Sequence, residues 1–165
     1  MARRVFFSFH FAYDFWRTQQ IRQMNALEGQ ALATPNAWEE VKRKGDASIQ
    51  NWIDEQMHGK SCAIVLVGAE TANRRWVQYE ISKAWNDGRG VLGIRIDKLL
   101  GTDQKPSTPG LNPFAKVSFK GSMRTLADTV PLKTPAGTDS KAAYASIANS
   151  IERWIEDAIK IRANH

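Results

Sequence analysis

The run Ala63-Ile64-Val65-Leu66-Val67, with the block that follows it, Asn73-Arg74-Arg75-Trp76-Val77-Gln78-Tyr79-Glu80-Ile81, decides how this chain is read. The first run is unbroken and apolar, which suits a strand covered on both faces. The second places Val77, Ile81, Ala84 and Trp85 at helical spacing. A strand that turns into a helix delivers the helix's first turn to the carboxyl edge of a sheet. Open α/β folds bind their ligands at that edge. Trp76 and Glu80 are four apart and share one helix face. At about 100° per residue, Glu80 falls roughly 60° to one side of Val77. That is the border of the buried stripe, where a carboxylate can line a cleft and meet a cation.

Working outward, strands and helices alternate. Val5-Phe6-Phe7-Ser8-Phe9 is the first central strand. A helix is expected over 13–27, with Trp16, Ile21 and Met24 inward. Ala31-Leu32-Ala33 reads as a weak edge strand, since Pro35 argues against a central one. Asp46 is the expected N-cap of a helix whose apolar face is Ile49, Trp52, Ile53 and Met57, ended by His58-Gly59. A strand over 62–67 follows, then a helix over 73–87 capped by Asn73 and stopped by Gly88, then a strand over 90–96. Residues 98–113 are a Gly/Pro-rich loop, of a length usually functional or mobile. Lys116-Val117-Ser118-Phe119 is the expected last strand, and 121–137 has no clear pattern. A packing helix over 140–162 carries Tyr144, Ile147, Ile151, Trp154, Ile155, Ala158 and Ile159 as one stripe. The alternation predicts a single α/β domain over 1–165, with a parallel sheet, helices on both faces and right-handed crossovers.

The bulk properties narrow the function classes. The chain has 165 residues, 42% of them hydrophobic, which is enough for one packed core. Six tryptophans are spread along it and are expected in the core or on cleft walls. A net charge of +6 and a pI near 9.6 suit a polyanionic partner, nucleic acid or a phosphate-bearing small molecule. The basic residues form no tract. Arg3-Arg4, Lys42-Arg43-Lys44 and Arg74-Arg75 are short and separate, which favours a solvated surface over a nucleic-acid face. The single cysteine, Cys62, excludes an internal disulfide and reads as a small buried hydrophobe in a reducing cytosol. No stretch approaches the ~20 apolar residues of a membrane span. No signal peptide is apparent, so a cytoplasmic location is expected.

Two blocks carry a resemblance. Arg4-Val5-Phe6-Phe7-Ser8-Phe9-His10, followed by Asp14, resembles the first box of TIR domains. Asn73 through Ile81 resembles the TIR helix with its Trp-x-x-x-Glu pattern. Both blocks, together with Gly93-Ile94-Arg95-Ile96 and Asn112-Pro113-Phe114, are similar to the bacterial ThsB-type TIR-like family of the Thoeris antiphage system. The resemblance covers roughly residues 1–120. It implies a flavodoxin-like fold and an enzyme that breaks the nicotinamide–ribose bond of NAD. The product is a cyclic ADP-ribose-type messenger that switches on a separate effector protein. It implies Glu80 as the catalytic residue and NAD as substrate, with no cofactor and no metal. Self-association into a homo-oligomer is a further expectation, while nucleic acid and membrane are not expected partners.

The chemistry fits one carboxylate. Cleaving this bond builds positive charge on the anomeric carbon, as in glycoside hydrolysis. Nicotinamide in NAD is already cationic and leaves neutral, so no acid is needed to protonate it. Glu80 at a cleft rim can stabilise the oxocarbenium-like ribose or hold its hydroxyls. Its bland alternative is a helix pair with Lys83. Ser8 and Phe9, at the end of the first strand, are expected substrate contacts. His10 is assigned either to a phosphate or to a structural hydrogen bond in a loop. Trp76 walls the nicotinamide end or simply packs above the sheet. Trp38 stacks on adenine or belongs to the core. Arg74 and Arg75 attract the pyrophosphate or form a solvated pair. Tyr79, in the same block, is counted among the substrate-binding residues. Cyclisation adds the need for a folded-over substrate in an enclosed site.

Two other classes compete. One is a non-catalytic TIR-type self-association module. The other is a nucleoside deoxyribosyltransferase-like enzyme, which also cuts an N-glycosidic bond with a carboxylate. A phospho-receiver domain is excluded, because Ser8-Phe9-His10 and Val67-Gly68 stand where it needs acidic residues. No Walker-type glycine loop and no His/Cys set with zinc spacing occurs.

Overall fold

Five strands, all paired in parallel, form one sheet: β1 (Arg3–Ser8), β2 (Leu27–Gly29), β3 (Cys62–Val67), β4 (Gly90–Arg95) and β5 (Leu132–Lys133). The structure is a computed structural model that describes residues 3–24, 27–29 and 35–165, without the side chains of 27, 28 and 35–38. The strand order is β2-β1-β3-β4-β5. This is the flavodoxin-like order, in which the chain leaves β1 toward one edge and later returns beside it as β3. The connections therefore diverge above the carboxyl ends of β1 and β3, and a crevice opens there.

The helices are α1 (Phe11–Arg22), α2 (Pro35–Arg43), α3 (Asp46–Met57), α4 (Arg75–Asn86) and α5 (Ser140–Ala163). Alternation along the strands divides the core into two layers. Val5, Phe7, Ile64, Leu66, Leu92 and Ile94 pack with Ile21 of α1 and with Ile147, Ile151, Trp154 and Ile155 of α5. Phe6, Ala63, Val65, Val67 and Val91 pack on the other face with Ile49, Ile53 and Met57 of α3 and with Val77, Ile81, Ala84 and Trp85 of α4. Both faces of the sheet are thus covered, as the unbroken apolar runs require. Cys62 is buried and free. Among the described residues, no helix is long and apolar enough to cross a membrane.

Several expected elements differ. The first helix ends at Arg22, and the edge strand is Leu27–Gly29. Ala31-Leu32-Ala33 lies outside the described residues. Trp16 does not point inward and is 50% exposed. The buried stripe of α1 is Asp14, Arg17, Thr18 and Ile21, so polar residues hold the inward positions. Asp46 is the first residue of its helix, and Gly45, at φ 97°, stands at the cap position. Arg74, not Asn73, stands at the cap position of α4, and its side chain makes no capping bond. The expected last strand, 116–119, is instead the end of a 3-10 turn (Pro113–Lys116) and a single antiparallel bridge from Ser118 to Thr125. Phe114 and Val117 are drawn into the core layer under α4, which removes this segment from the sheet. The fifth strand comes later, as two residues beside Gly93 and Ile94.

Candidate active site

The crevice above β1 and β3 is a cavity of about 630 Å³, a size suited to a small-molecule ligand. Its lining comes from four places. The end of β1 and the start of α1 supply Phe9, His10, Phe11 and Phe15. The first turns of α4 supply Arg74, Arg75, Trp76 and Glu80. Trp52 of α3 and Glu39 and Lys42 of α2 form another side, and Thr102 of the long loop completes the wall.

Glu80 is the chemically unusual group. It is only 7% exposed, yet it lines the cavity. Burial pushes its pKa up to about 8, against the partial relief of one hydrogen bond. That bond comes from Ser8, whose Oγ donates to Glu80 Oε1 at 2.6 Å. The contact spans β1 to α4. It forms because β1 ends at Ser8, beside Val65 of β3, beneath the first turns of α4. Burial therefore favours the protonated form of Glu80. A cation brought beside it lowers that pKa and draws out the charged form.

The other expected residues divide into two groups. Phe9, His10, Arg75 and Trp76 line the same cavity as Glu80. Burial and the Arg74 guanidinium hold His10 below the usual imidazole pKa, and its Nδ1 is buried without a partner. Arg75 is engaged on both sides, by Asp46 of α3 at 2.8 Å and by the Trp76 ring at 4.6 Å. Arg74 leans on Glu70, with Nε donating to its carbonyl at 3.2 Å. Ser8 and Tyr79 lie off the cavity wall. Ser8 is fully buried behind Glu80. The Tyr79 hydroxyl donates to Asp54 Oδ1 of α3 at 2.9 Å, and its ring meets Trp76 edge-on. The side chain of Trp38 lies outside the described residues.

Residues 6–100, more than half of the chain, match the family described as "Thoeris protein ThsB, TIR-like domain". The chain belongs to that family. Every candidate residue from Ser8 to Glu80 falls inside the matched part of this ThsB TIR-like chain, whereas α5 and most of the long loop fall beyond it. The chain is also similar to the "Putative cyclic ADP-D-ribose synthase ThsB1" of Bacillus cereus (strain MSX-D12). The two are 34% identical over 128 residues, which is 74% of this chain and 66% of that relative. The chain thus spans just under two thirds of that relative's length.

Sequence reasoning missed Phe11, Phe15, Trp52, Lys42, Glu39 and Thr102 as cavity residues. A signal for two of them was present. Phe11 and Phe15 are four apart on α1, and their rings lie 4.9 Å apart, next to Phe9. Thr102 sits in a loop with no periodicity, and nothing local marks it.

Proposed function

We propose that this ThsB TIR-like protein cleaves the nicotinamide–ribose bond of NAD and returns a cyclic ADP-ribose-type product. That product is a diffusible signal, made in the cytoplasm, which activates a separate antiphage effector. The observation that carries this reading is the desolvated Glu80 carboxyl, held by Ser8 and facing a cavity walled by aromatic rings and rimmed by cations. The name of the Bacillus cereus relative points the same way.

The residues support a division of labour. Glu80 faces the ribose next to the departing nicotinamide. In a dry site its charge acts on the developing oxocarbenium more strongly than it would in water. Ser8 fixes one carboxyl oxygen, and the second, Oε2, is assigned to the ribose. Trp76 is assigned to the nicotinamide end, and Phe9, Phe11 and Phe15 to the far wall. Lys42, Arg74, Arg75 and His10 surround the place left for the pyrophosphate. Tyr79 acts at one remove, by holding Trp76 against α3.

Incubation of the purified protein with NAD tests the reading. Nicotinamide is expected in solution, together with a product of the mass of cyclised ADP-ribose. A protein that releases no nicotinamide at any concentration, with or without infected-cell lysate, would be an interaction module instead. Preference for free deoxynucleosides over NAD would point to deoxyribosyl transfer.

A further inference from the structure

The 98–113 loop is long, but it is not loosely attached. Arg17, on the buried stripe of α1, holds its first half from below. The Arg17 side chain is only 5% exposed and pairs with Asp14 at 2.9 Å. Its Nε donates to the Leu99 carbonyl at 2.8 Å, and its Nη2 donates to the Lys105 carbonyl at 3.0 Å. Gln20, on the same helix, donates to the Leu100 carbonyl at 2.8 Å. The turn also closes on itself, since the Gly101 N–H reaches the Lys105 carbonyl at 3.0 Å. Gly101 lies against the guanidinium, and a Cβ there would sit 2.8 Å from Nη2. The next residue, Thr102, lines the cavity together with the α1 aromatics and Glu80.

A buried ion pair is a poor source of stability, because desolvation offsets most of its attraction. Such pairs can instead serve to specify one arrangement of the groups around them. Here Nε and Nη2 of the guanidinium hold the two ends of a turn whose Thr102 lines the cavity, while Nη1 is held within α1 by Asp14 and the Tyr13 carbonyl. We propose that Arg17 is a positioning residue that holds the 99–105 turn as a water-excluding wall, and so sets how much product is cyclised rather than hydrolysed. The inference rests on the NAD-cleaving reading given above.

The partition is a competition for one electron-poor carbon. The bond from the anomeric carbon to nicotinamide breaks, and its electron pair leaves with the neutral pyridine. A lone pair on an adenine nitrogen or a ribose hydroxyl then forms the new bond and closes the ring. A hydroxyl attacker then sheds its proton to solvent, whereas an adenine ring nitrogen has none to shed and leaves the purine cationic until its exocyclic amine gives up a proton. If water arrives first, it forms that bond, loses a proton, and linear ADP-ribose results. Excluding water favours the internal nucleophile without changing the bond-breaking step.

The test compares total nicotinamide release with the cyclic-to-linear product ratio. Two variants are used. Asp14→Asn/Arg17→Gln removes both buried charges together, and Gly101→Val puts a side chain where the guanidinium lies, so that turn and guanidinium must part, with no substitution in α1. In both, the cyclic-to-linear ratio is expected to fall at least about fivefold, with nicotinamide release changed by less than about threefold. An unchanged ratio in a folded variant with wild-type turnover overturns the role of Arg17. If the double variant does not fold, Gly101→Val decides alone. A wild-type protein that releases no nicotinamide overturns the functional reading itself, and this inference with it.

Discussion

A carboxyl group buried to 7% exposure beside a hydroxyl partner is hard to ionise, and Glu80 is such a group. Its place was legible from the four-residue step to Trp76 and from its position beside the Val77–Ile81 stripe. The Ser8 bond was not legible, because it joins residues 72 apart in sequence and depends on which strands are neighbours. The ratio kcat/KM reports the free enzyme. If the charged form does the work, kcat/KM for NAD rises with pH and levels off above about 8. Ser8→Ala removes the hydrogen bond that lowers this pKa, so the rise should move alkaline by about one pH unit. A profile unmoved in Ser8→Ala would separate Ser8 from the titration of the catalytic carboxylate.

An unfolded Glu80 titrates near 4.5 and the folded one near 8. Its contribution to stability is therefore fully present below the lower value and is lost as pH rises through the upper one. Glu80→Gln carries no such titration. Relative to wild type it should be unchanged at about pH 4 and more stable at about pH 9, by on the order of a few kcal/mol. Urea unfolding at the two pH values measures this. Equal wild-type and variant stability at both would show that the carboxyl is not desolvated.

At the scale of elements, the strands and helices with uniform apolar faces were readable. β3 matches its expected bounds, and α4 and α5 nearly do. α1 misled because its buried stripe includes Asp14, Arg17 and Thr18, which a hydrophobicity pattern reads as solvent-facing. The reason lies elsewhere in the chain, in the loop carbonyls that Arg17 serves. β5 is two residues long, too short to show a period, and 116–119 has strand-like residues that pack under α4 instead. α5 offers a direct check on local capping. Asp139 accepts a hydrogen bond from the Ala142 N–H at 2.8 Å. Asp139→Ala should cost about 1 kcal/mol, seen as a lower unfolding midpoint with activity unchanged. Loss of turnover in that variant would mean that α5 reaches the site in some way beyond packing.

For the whole molecule, the alternation of elements was enough to expect a parallel sheet covered on both faces. The strand order was expected only through the family resemblance, since alternation alone allows several orders. That order explains where the site lies. It opens the crevice between the divergent connections of β1 and β3, and it brings the end of β1, the start of α4 and the 98–113 loop around one cavity. Lys42, Arg74 and Arg75 bring basic groups to that cavity, each beside a carboxylate: Glu39, Glu70 and Asp46 respectively.

The decisive measurement is nicotinamide release from NAD by wild type and Glu80→Gln, run side by side with thermal melts near pH 8. Wild type should turn over. The amide variant should melt at or above the wild-type temperature and lose activity by at least about a hundredfold, as expected when a group that stabilises transition-state charge is removed. A folded Glu80→Gln protein that still releases nicotinamide at the wild-type rate would contradict the assignment of the chemistry to this carboxyl group.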